Sequence, residues 1–544
     1  METTRHHFLD ALRAFAMLLG IFLHGLISFI EMPIWPAQDI RQNTAVYEFM
    51  MDAIHGFRMP LFFLISGFFT MMVWKRRGAG ALTKQRAIRI LVPLVIFTIL
   101  MTPIMWTIGA WGGVTKERNR QARESTEERT EVELPPAETS STIELAERGD
   151  IDALREALDA GADPNEREPF GGSALLGIAA IYDNVEAIEL LLERGAEINE
   201  RSNDASTPLH MAAFFGSLDS AKALVEHNAD LNPRNDYGAT PLSNAESDWG
   251  TVVWVVETFK IEVDLEEVKA GRPKVAEFLR SHGAEGGGGG GSLKPIIQFG
   301  AFMPVFHHLW FLYYLLWLAA FFMLFAAIAR GLKIPQLPNV FVSTPWCLLW
   351  VVPLTFAAQH HMIQSFGPDT ATGILLWPPK FLYYAIFFTY GVLCYGRETW
   401  ILRTGRFWPI WLIIAVAALI FGVDAKGARG AQFQPAHNIM CACAAVYVWS
   451  MFIALFGIFR RWLDTENHAI RYVSDASYWL YIMHLPIIMA LQVAISEYDI
   501  PSYLKLAFVC IAPTAVLMLC YAGFVRYTFI GTMLNGKKTR PQKS

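Results

Sequence analysis

Apolar segments of bilayer-spanning length recur ten times along this chain, at about 9–30, 56–74, 90–112, 305–328, 345–359, 374–396, 407–423, 437–458, 475–495 and 503–528. A helix needs roughly 17–25 apolar residues to cross a hydrocarbon core. Inside that core every backbone N–H and C=O must be bonded within the segment, so spans of this kind are helical. The pattern predicts an all-α polytopic membrane protein of about ten transmembrane helices. The segment at 345–359 is shorter than the others. The first segment has the position of a cleaved leader, but Asp10 and Arg13 interrupt its start and no small-x-small cleavage site follows, so it reads as a retained helix. With 53% hydrophobic and only 17% charged side chains over 544 residues, neither one soluble globular protein nor a disordered chain fits.

Basic residues set the orientation, because Lys and Arg collect in cytoplasmic loops. With a cytoplasmic N-terminus, one set of loops holds Lys75, Arg76, Arg77, Lys84, Arg86, Arg89, Arg330, Lys333, Arg397, Arg403, Arg406, Arg460, Arg461 and Arg471. The tail adds Lys537, Lys538, Arg540 and Lys543, whereas the short opposite loops hold only Arg41, Lys426 and Arg429. Ten spans then leave both termini in the cytoplasm, in an inner membrane, and residues 113–294 outside it. The net charge of −5 gives no reason to expect a nucleic-acid partner. Cys347, Cys394, Cys441, Cys443, Cys510 and Cys520 all fall in apolar stretches without CxxC spacing and read as small buried hydrophobes.

Between the two apolar parts, 1–112 and 295–544, the composition inverts. A charged linker (113–142) contains KERNRQARESTEERTEVELPPAE, and a glycine-rich linker (286–294) contains Gly286 to Gly291. Between them, at 143–285, AGADPNERE, RGAEINERS and HNADLNPRN recur every 33–34 residues. STPLHMAAFFG and ATPLSNAES align in the same way. This block resembles the ankyrin repeat, with Thr207, Pro208, Leu209 and His210 matching its TPLH turn. The resemblance implies stacked helix pairs with a concave face for a protein partner or substrate. Four or so units fit, the last (Asp236 to about Ala284) being degenerate. His210 and His227 read as capping or surface residues, not ligands.

Ionisable residues inside a bilayer are costly and usually functional. The first span carries Arg13 and His24. Eleven residues at about 100° each return to within roughly 20°, so both lie on one helix face, about 16 Å apart along the axis. An extended pantetheine arm spans a similar length. The plain alternative is that Arg13 snorkels to head groups and His24 bonds a neighbouring helix. Arg86 and Arg89 share a face before the third span and suit phosphates, although positive-inside topology alone also places such residues there. HGFRMPLFFLISGFF holds His55, Arg58 and Ser66; HHLWFLYYLL holds His308; SYWLYIMHLP holds Tyr481 and His484. In the deduced topology His24, His55 and His308 lie at one level in the outer half. No HxxH or HxxxH pair supports metal binding there.

These segments resemble the acyltransferase-3 family of integral membrane acyltransferases over 5–112 and 295–528, with the repeat block as a departure. The family's Arg-x10-His signature falls on Arg13 and His24, and its Arg-x-x-Arg on Arg86 and Arg89. FLDALRAFAMLLGIFLH, HGFRMPLFFLISGFF and HLWFL look closest to the glucan-biosynthesis protein C branch, which is thought to succinylate periplasmic glucans. The resemblance implies an acyl-CoA donor (acetyl or succinyl class) used from the cytoplasm, no permanently bound cofactor, and a glycan or other hydroxyl acceptor outside, in a protein surrounded by membrane lipid. His24 is then the candidate general base or transient acyl carrier. His55, Arg58 and His308 would line the acceptor side, Arg13, Arg86 and Arg89 would hold the donor's phosphates, and Ser66, Tyr481 and His484 would support the site. A transporter or flippase of glycans or lipids would use the same buried charges as a pathway, but often shows repeated halves, and none is visible here. An ankyrin-based receptor would need one anchoring helix, not ten.

Overall fold

The structure is a computed structural model, and it describes residues 7–30, 35–37, 39, 45–127, 141–168, 172–235, 238–259, 261–286, 305–335, 337–343, 345–362, 366–397, 405–426, 433–536 and 538. Arg41, Arg403, Arg429, Lys537, Arg540 and Lys543, much of the charged linker and the glycine tract from Gly287 onward lie outside the described residues. The chain divides into two units, a membrane unit built from both apolar parts and a repeat unit between them.

Helix α1 (His7–Leu26) is followed by a short 3-10 turn. At 1.5 Å per residue it is about 30 Å long, the thickness of a hydrocarbon core. Helix α2 (Ala45–Arg86) carries Pro60 and is broken at Gly78, whose φ of 77° is left-handed. That break separates the second span from a basic segment that leads through a π-helical turn, Ala87–Leu91, into α3 (Val92–Glu127). The helix therefore continues through the start of the stretch expected to be a linker from residue 113.

The repeat unit consists of α4 (Thr142–Arg148), α5 (Ile151–Asp159), α6 (Leu175–Ile181), α7 (Val185–Glu193), α8 (Pro208–Phe215), α9 (Leu218–Glu226), α10 (Pro241–Ala245), α11 (Trp249–Phe259) and α12 (Leu265–Ser281). They form four stacked pairs around buried Leu145, Leu154, Leu175, Leu191, Leu209, Leu224, Leu242 and Leu279. The degenerate last unit pairs α10 with α12 and inserts α11 between them. Side chains close the helix starts: Ser141, Asp150, Asn184 and Asp264 each accept from a backbone N–H of the first turn. His210 is buried and works as a cap, its Nδ1 accepting from the Thr207 N–H at 3.1 Å while its Nε2 donates to the Ala239 carbonyl at 3.0 Å. His227 is a surface residue paired with Glu189 at 2.8 Å.

The second apolar part forms α13 (Trp310–Gly331), α14 (Leu348–Gln359), α15 (Pro378–Cys394), α16 (Trp408–Lys426), α17 (Phe433–Leu463), α18 (His468–Ile495), α19 (Ser502–Cys520) and a final short α20 (Phe529–Asn535). Among the described residues, seven helical runs are long and apolar enough to cross a membrane. One of them, Ala45–Thr115, covers both the second and third expected spans. Helices stand at the other expected places too, but α14 has only 12 residues and α15 has 17. A 12-residue helix is about 18 Å long, so the count of ten is not met by length and apolarity. Helix α14 nevertheless runs antiparallel to α15: Trp350 at its start lies against Tyr390 near the end of α15, and Gln359 at its end donates to the Gly367 carbonyl at 2.7 Å.

Helices that share a lipid solvent gain little from apolar contact alone, so close approach through small residues decides their packing. Helices α2 and α15 meet at Gly67 and Gly391. A Cβ on Gly67 would overlap the Phe388 carbonyl oxygen, and one on Gly391 would overlap that of Leu64. Phe63, Tyr384 and Trp310 fill the space beside this contact, with the Phe63 and Tyr384 ring centroids 4.6 Å apart. On the outside, Ile99, Trp106, Leu349, Ile413, Phe421 and Phe524 are exposed, an apolar belt suited to lipid.

Burial holds the His210 imidazole below its ordinary pKa of 6.5. The folded repeat unit thus keeps this ring neutral where the unfolded chain would protonate it, and the stability it contributes is present above about pH 6.5 and lost as the pH falls below it. Thermal melting of the repeat block should show a downward drift in midpoint between pH 7 and 5.5 that is smaller in His210→Gln. An equal drift in both proteins would refute this assignment.

Candidate active site

The site begins with a missing N–H. Pro486 lies inside α18 and cannot donate to the carbonyl four residues earlier, that of Ile482. His308 takes its place, with its Nε2 2.9 Å from the Ile482 oxygen. A carbonyl only accepts, so the His308 Nε2 carries the proton and its Nδ1 presents a lone pair. Tyr481 closes the clamp by donating to the backbone carbonyl of His308 at 2.5 Å. His307, beside it, has a φ of 43°, a left-handed backbone at a residue with a side chain. One helical position before Pro486 stands Leu485, and before that His484. Its Nδ1 lies 3.0 Å from the Leu480 carbonyl and 2.8 Å from that of Tyr481. The same argument puts the proton on Nδ1 and leaves Nε2 as an acceptor.

His24 on α1 completes the group. Its ring centroid is 5.1 Å from that of His484, and His484 is 5.4 Å from His308. Helix α1 ends at Leu26, so the carbonyls of His24 and Gly25 are among its last four and lack helical donors. Gln492, two turns beyond His484 on α18, donates to both, at 2.9 and 3.1 Å. Arg58 enters from α2, 8% exposed, with its guanidinium against the bare backbone of Gly20 on α1. It lies within electrostatic reach of His24 and His484. The Nδ1 atoms of His24 and His308, the Nε2 of His484 and the Nε of Arg58 are buried and have no hydrogen-bond partner among the described residues. Such groups are costly to bury unmatched. Together they offer lone-pair acceptors and a cationic donor, the complement of a substrate that brings both hydroxyl protons and a carbonyl oxygen.

The basic pair lies elsewhere. Arg86 turns back along α2 and donates to the buried Thr70 hydroxyl. The π-helical turn carries Arg89, whose carbonyl accepts from Tyr478 at 2.5 Å and whose guanidinium packs on Gly536 at the end of α20. Tyr478 is within electrostatic reach of both arginines. Asn535 donates to the Asp475 carbonyl at 2.8 Å and Lys538 pairs with the Asp475 carboxylate, tying α20 to α18. Arg13 is half-buried on α1.

The acyltransferase domain family matches residues 6–118 and 279–523, and the ankyrin-repeat family, in three copies, matches 143–235. The first match covers more than half of the chain. The chain belongs to the acyltransferase-3 family. Its relatives include "Glucans biosynthesis protein C" of Salmonella paratyphi B and of Salmonella enteritidis PT4, each 36% identical over 102 residues. That alignment covers 18% of this chain and 25% of the relative, so the match spans a quarter of the length of those proteins. The chain is thus a member of this family whose matched region is interrupted by ankyrin repeats.

The fold brings His24, Arg58 and His308 together through His484. His55 lies one turn from Arg58, but its Nε2 is held 2.6 Å from the Pro368 carbonyl, so it braces the 366–369 loop. Ser66 engages through its carbonyl, which accepts from Thr70 at 2.6 Å, and it sits eight residues from Arg58, about 12 Å further along α2. His484, read from sequence as a supporting residue, stands between the other two imidazoles. Gln492 and Trp35 were not anticipated. A lone amide side chain in an apolar helix was the only available signal for Gln492, and Trp35 gave none. Among the described residues no group of three His, Cys, Asp or Glu side chains is arranged to hold a metal ion.

Gly20 gives a direct test of the arginine. A methyl there would collide with the far end of the Arg58 side chain, which is flexible, and not with backbone. Gly20→Ala should therefore yield folded, monodisperse protein with a melting midpoint near that of the parent and a clearly lower acyl-transfer rate. Unchanged transfer in that variant would show that the Arg58 position is unimportant.

Proposed function

We propose that the protein is an inner-membrane O-acyltransferase that moves an acetyl- or succinyl-class group from cytoplasmic acyl-CoA to a hydroxyl of an extracytoplasmic glycan. The observation that carries this reading is the convergence of the buried His308 and His484 rings, the half-buried His24 ring with its buried Nδ1, and the Arg58 guanidinium, all with unpartnered nitrogens. In the proposed chemistry the acceptor oxygen attacks the thioester carbonyl carbon. His24 takes the hydroxyl proton as general base. The oxyanion that forms is stabilised by Arg58, a donor held in place before reaction. The C–S bond then breaks, and the coenzyme thiolate leaves with the proton that His24 returns. His308 and His484 accept hydrogen bonds from other hydroxyls of the glycan and orient it. Arg13, Arg86 and Arg89 bind the phosphates of the donor. The name of the Salmonella relatives supports a glucan as acceptor, and the repeats suit a protein partner or the glycan itself.

The basic-residue asymmetry supports cytoplasmic termini and an extracytoplasmic repeat block. Reporter fusions at about residue 140 should read extracytoplasmic, and fusions at 80 or 540 cytoplasmic; a cytoplasmic signal at 140 would overturn this orientation.

Kinetics on purified protein separate the roles. His24→Ala should leave acyl-CoA affinity nearly unchanged and lower turnover by about 10²–10⁴, the usual range for lost general catalysis. Arg13→Ala should mainly weaken acyl-CoA binding, and Arg13→Lys should recover only part of it, because a point charge replaces a fork. Near-normal turnover in folded His24→Ala would sink the mechanism. Comparison of envelope glycans by mass spectrometry, with and without the gene, would identify the acyl group and the acceptor.

A further inference from the structure

An indole flanks the half-buried ring of His24. The indole of Trp35 lies parallel to the imidazole, with planes 10° apart and centroids separated by 6.5 Å. Its Nε1–H donates to the Gln492 Oε1 at 3.1 Å, and the same amide donates through Nε2 to the His24 and Gly25 carbonyls. Indole, amide and the backbone of His24 thus form one connected unit.

The segment that carries Trp35 is tied down. The Asp39 N–H donates to the Ser28 carbonyl at 2.8 Å, and the Ser28 hydroxyl donates to the Ala37 carbonyl at 2.5 Å. The Asp39 carboxylate pairs with the Lys505 ammonium, and the side chains are only 3% and 1% exposed. Opening that pair would strand a buried charge. Pro36 sits on the bare backbone of Gly112 in α3, and Trp35 packs with Met105, Ile108, Leu485 and Met489. An exposed loop tip would show none of these ties.

A base beside a thioester invites water. In hydrolysis a water oxygen attacks the carbonyl carbon, the C–S bond breaks, and a free carboxylic acid and a thiol leave. Transfer wins only where the base is kept from bulk water until the acceptor is in place. We infer that Trp35 is a positioning residue whose indole, held by Gln492 and the Asp39–Lys505 pair, shields His24 from water and directs the acyl group to the glycan hydroxyl. This rests on the reading of His24 as the base for acyl-CoA.

The test uses the full chain in detergent with acetyl-CoA and succinyl-CoA as donors and a β-glucan oligosaccharide as acceptor. Thiol release without acceptor reports hydrolysis, and ester formed per thiol released reports transfer. The rate of His24 modification by diethyl pyrocarbonate, mapped by peptide mass spectrometry, reports access without any turnover. Trp35→Ala should raise hydrolysis several-fold, lower the ester-to-thiol ratio and speed His24 modification. Trp35→Phe, which keeps an aromatic plane, should stay close to the parent in all three. Should Trp35→Ala fail to fold, Trp35→Leu carries the same expectation. A parallel fall in hydrolysis and transfer, with His24 modified no faster, would make Trp35 a packing residue and overturn the shield. Absence of thiol release from either donor in the parent chain would overturn the reading of the donor instead, and the modification rate would then decide the shield alone.

Discussion

Lipid offers no hydrogen bonds, so the carbonyl that Pro486 strands at Ile482 must be met by protein, and His308 is what meets it. That single bond fixes much else. It sets the His308 tautomer, brings the start of α13 against α18, and leaves the Nδ1 lone pair unpartnered on a ring that packs against His484. The Tyr481 hydroxyl, one turn before Pro486, locks the same contact from the backbone side. A proline in a membrane helix is usually a mechanical feature. Here the defect it makes is also the anchor of the polar cluster.

The same economy runs through the rest of the membrane unit. The frayed end of α1 leaves two carbonyls, and Gln492 meets both while holding the Trp35 indole. The absence of a side chain at Gly20 admits the Arg58 guanidinium, and at Gly67 and Gly391 it admits a neighbouring helix. Polar groups enter this bundle where the backbone is interrupted or bare, since those are the places where lipid cannot satisfy it and protein can approach.

How much of this was legible in the sequence follows from range. The spans, the repeat period, the shared face of Arg13 and His24 and the short spacing from His55 to Arg58 are local, and local periodicity shows them. The TPLH turn left His210 as a capping or surface residue, and it caps. The central place of His484 was not legible, because it depends on contacts with residues hundreds of positions away. Trp35 is a similar case: it stands outside any periodic element, and its partner Gln492 lies on another helix. The short α14 was visible as the shortest span, and its antiparallel seat on α15 was not. The charged stretch after residue 112 read as a linker by composition, yet helix α3 runs on to Glu127, since Glu and Arg are good helix formers as well as linker residues.

The interruption at residues 113–294 has a consequence in time. His24 and Arg58 precede it and His308 and His484 follow it. At roughly 5–20 residues per second of synthesis, the first three helices wait about 20–75 s before the last helix that completes the cluster, with His484 and Gln492, has been made. Through that interval a buried arginine and a histidine in the bilayer lack the imidazoles and the Gln492 amide that will surround them. The repeat block folds meanwhile, because its contacts are between neighbours in sequence. Assembly of the membrane unit is therefore a late joining of two separately inserted halves, and its vulnerable species is the first half alone in the membrane.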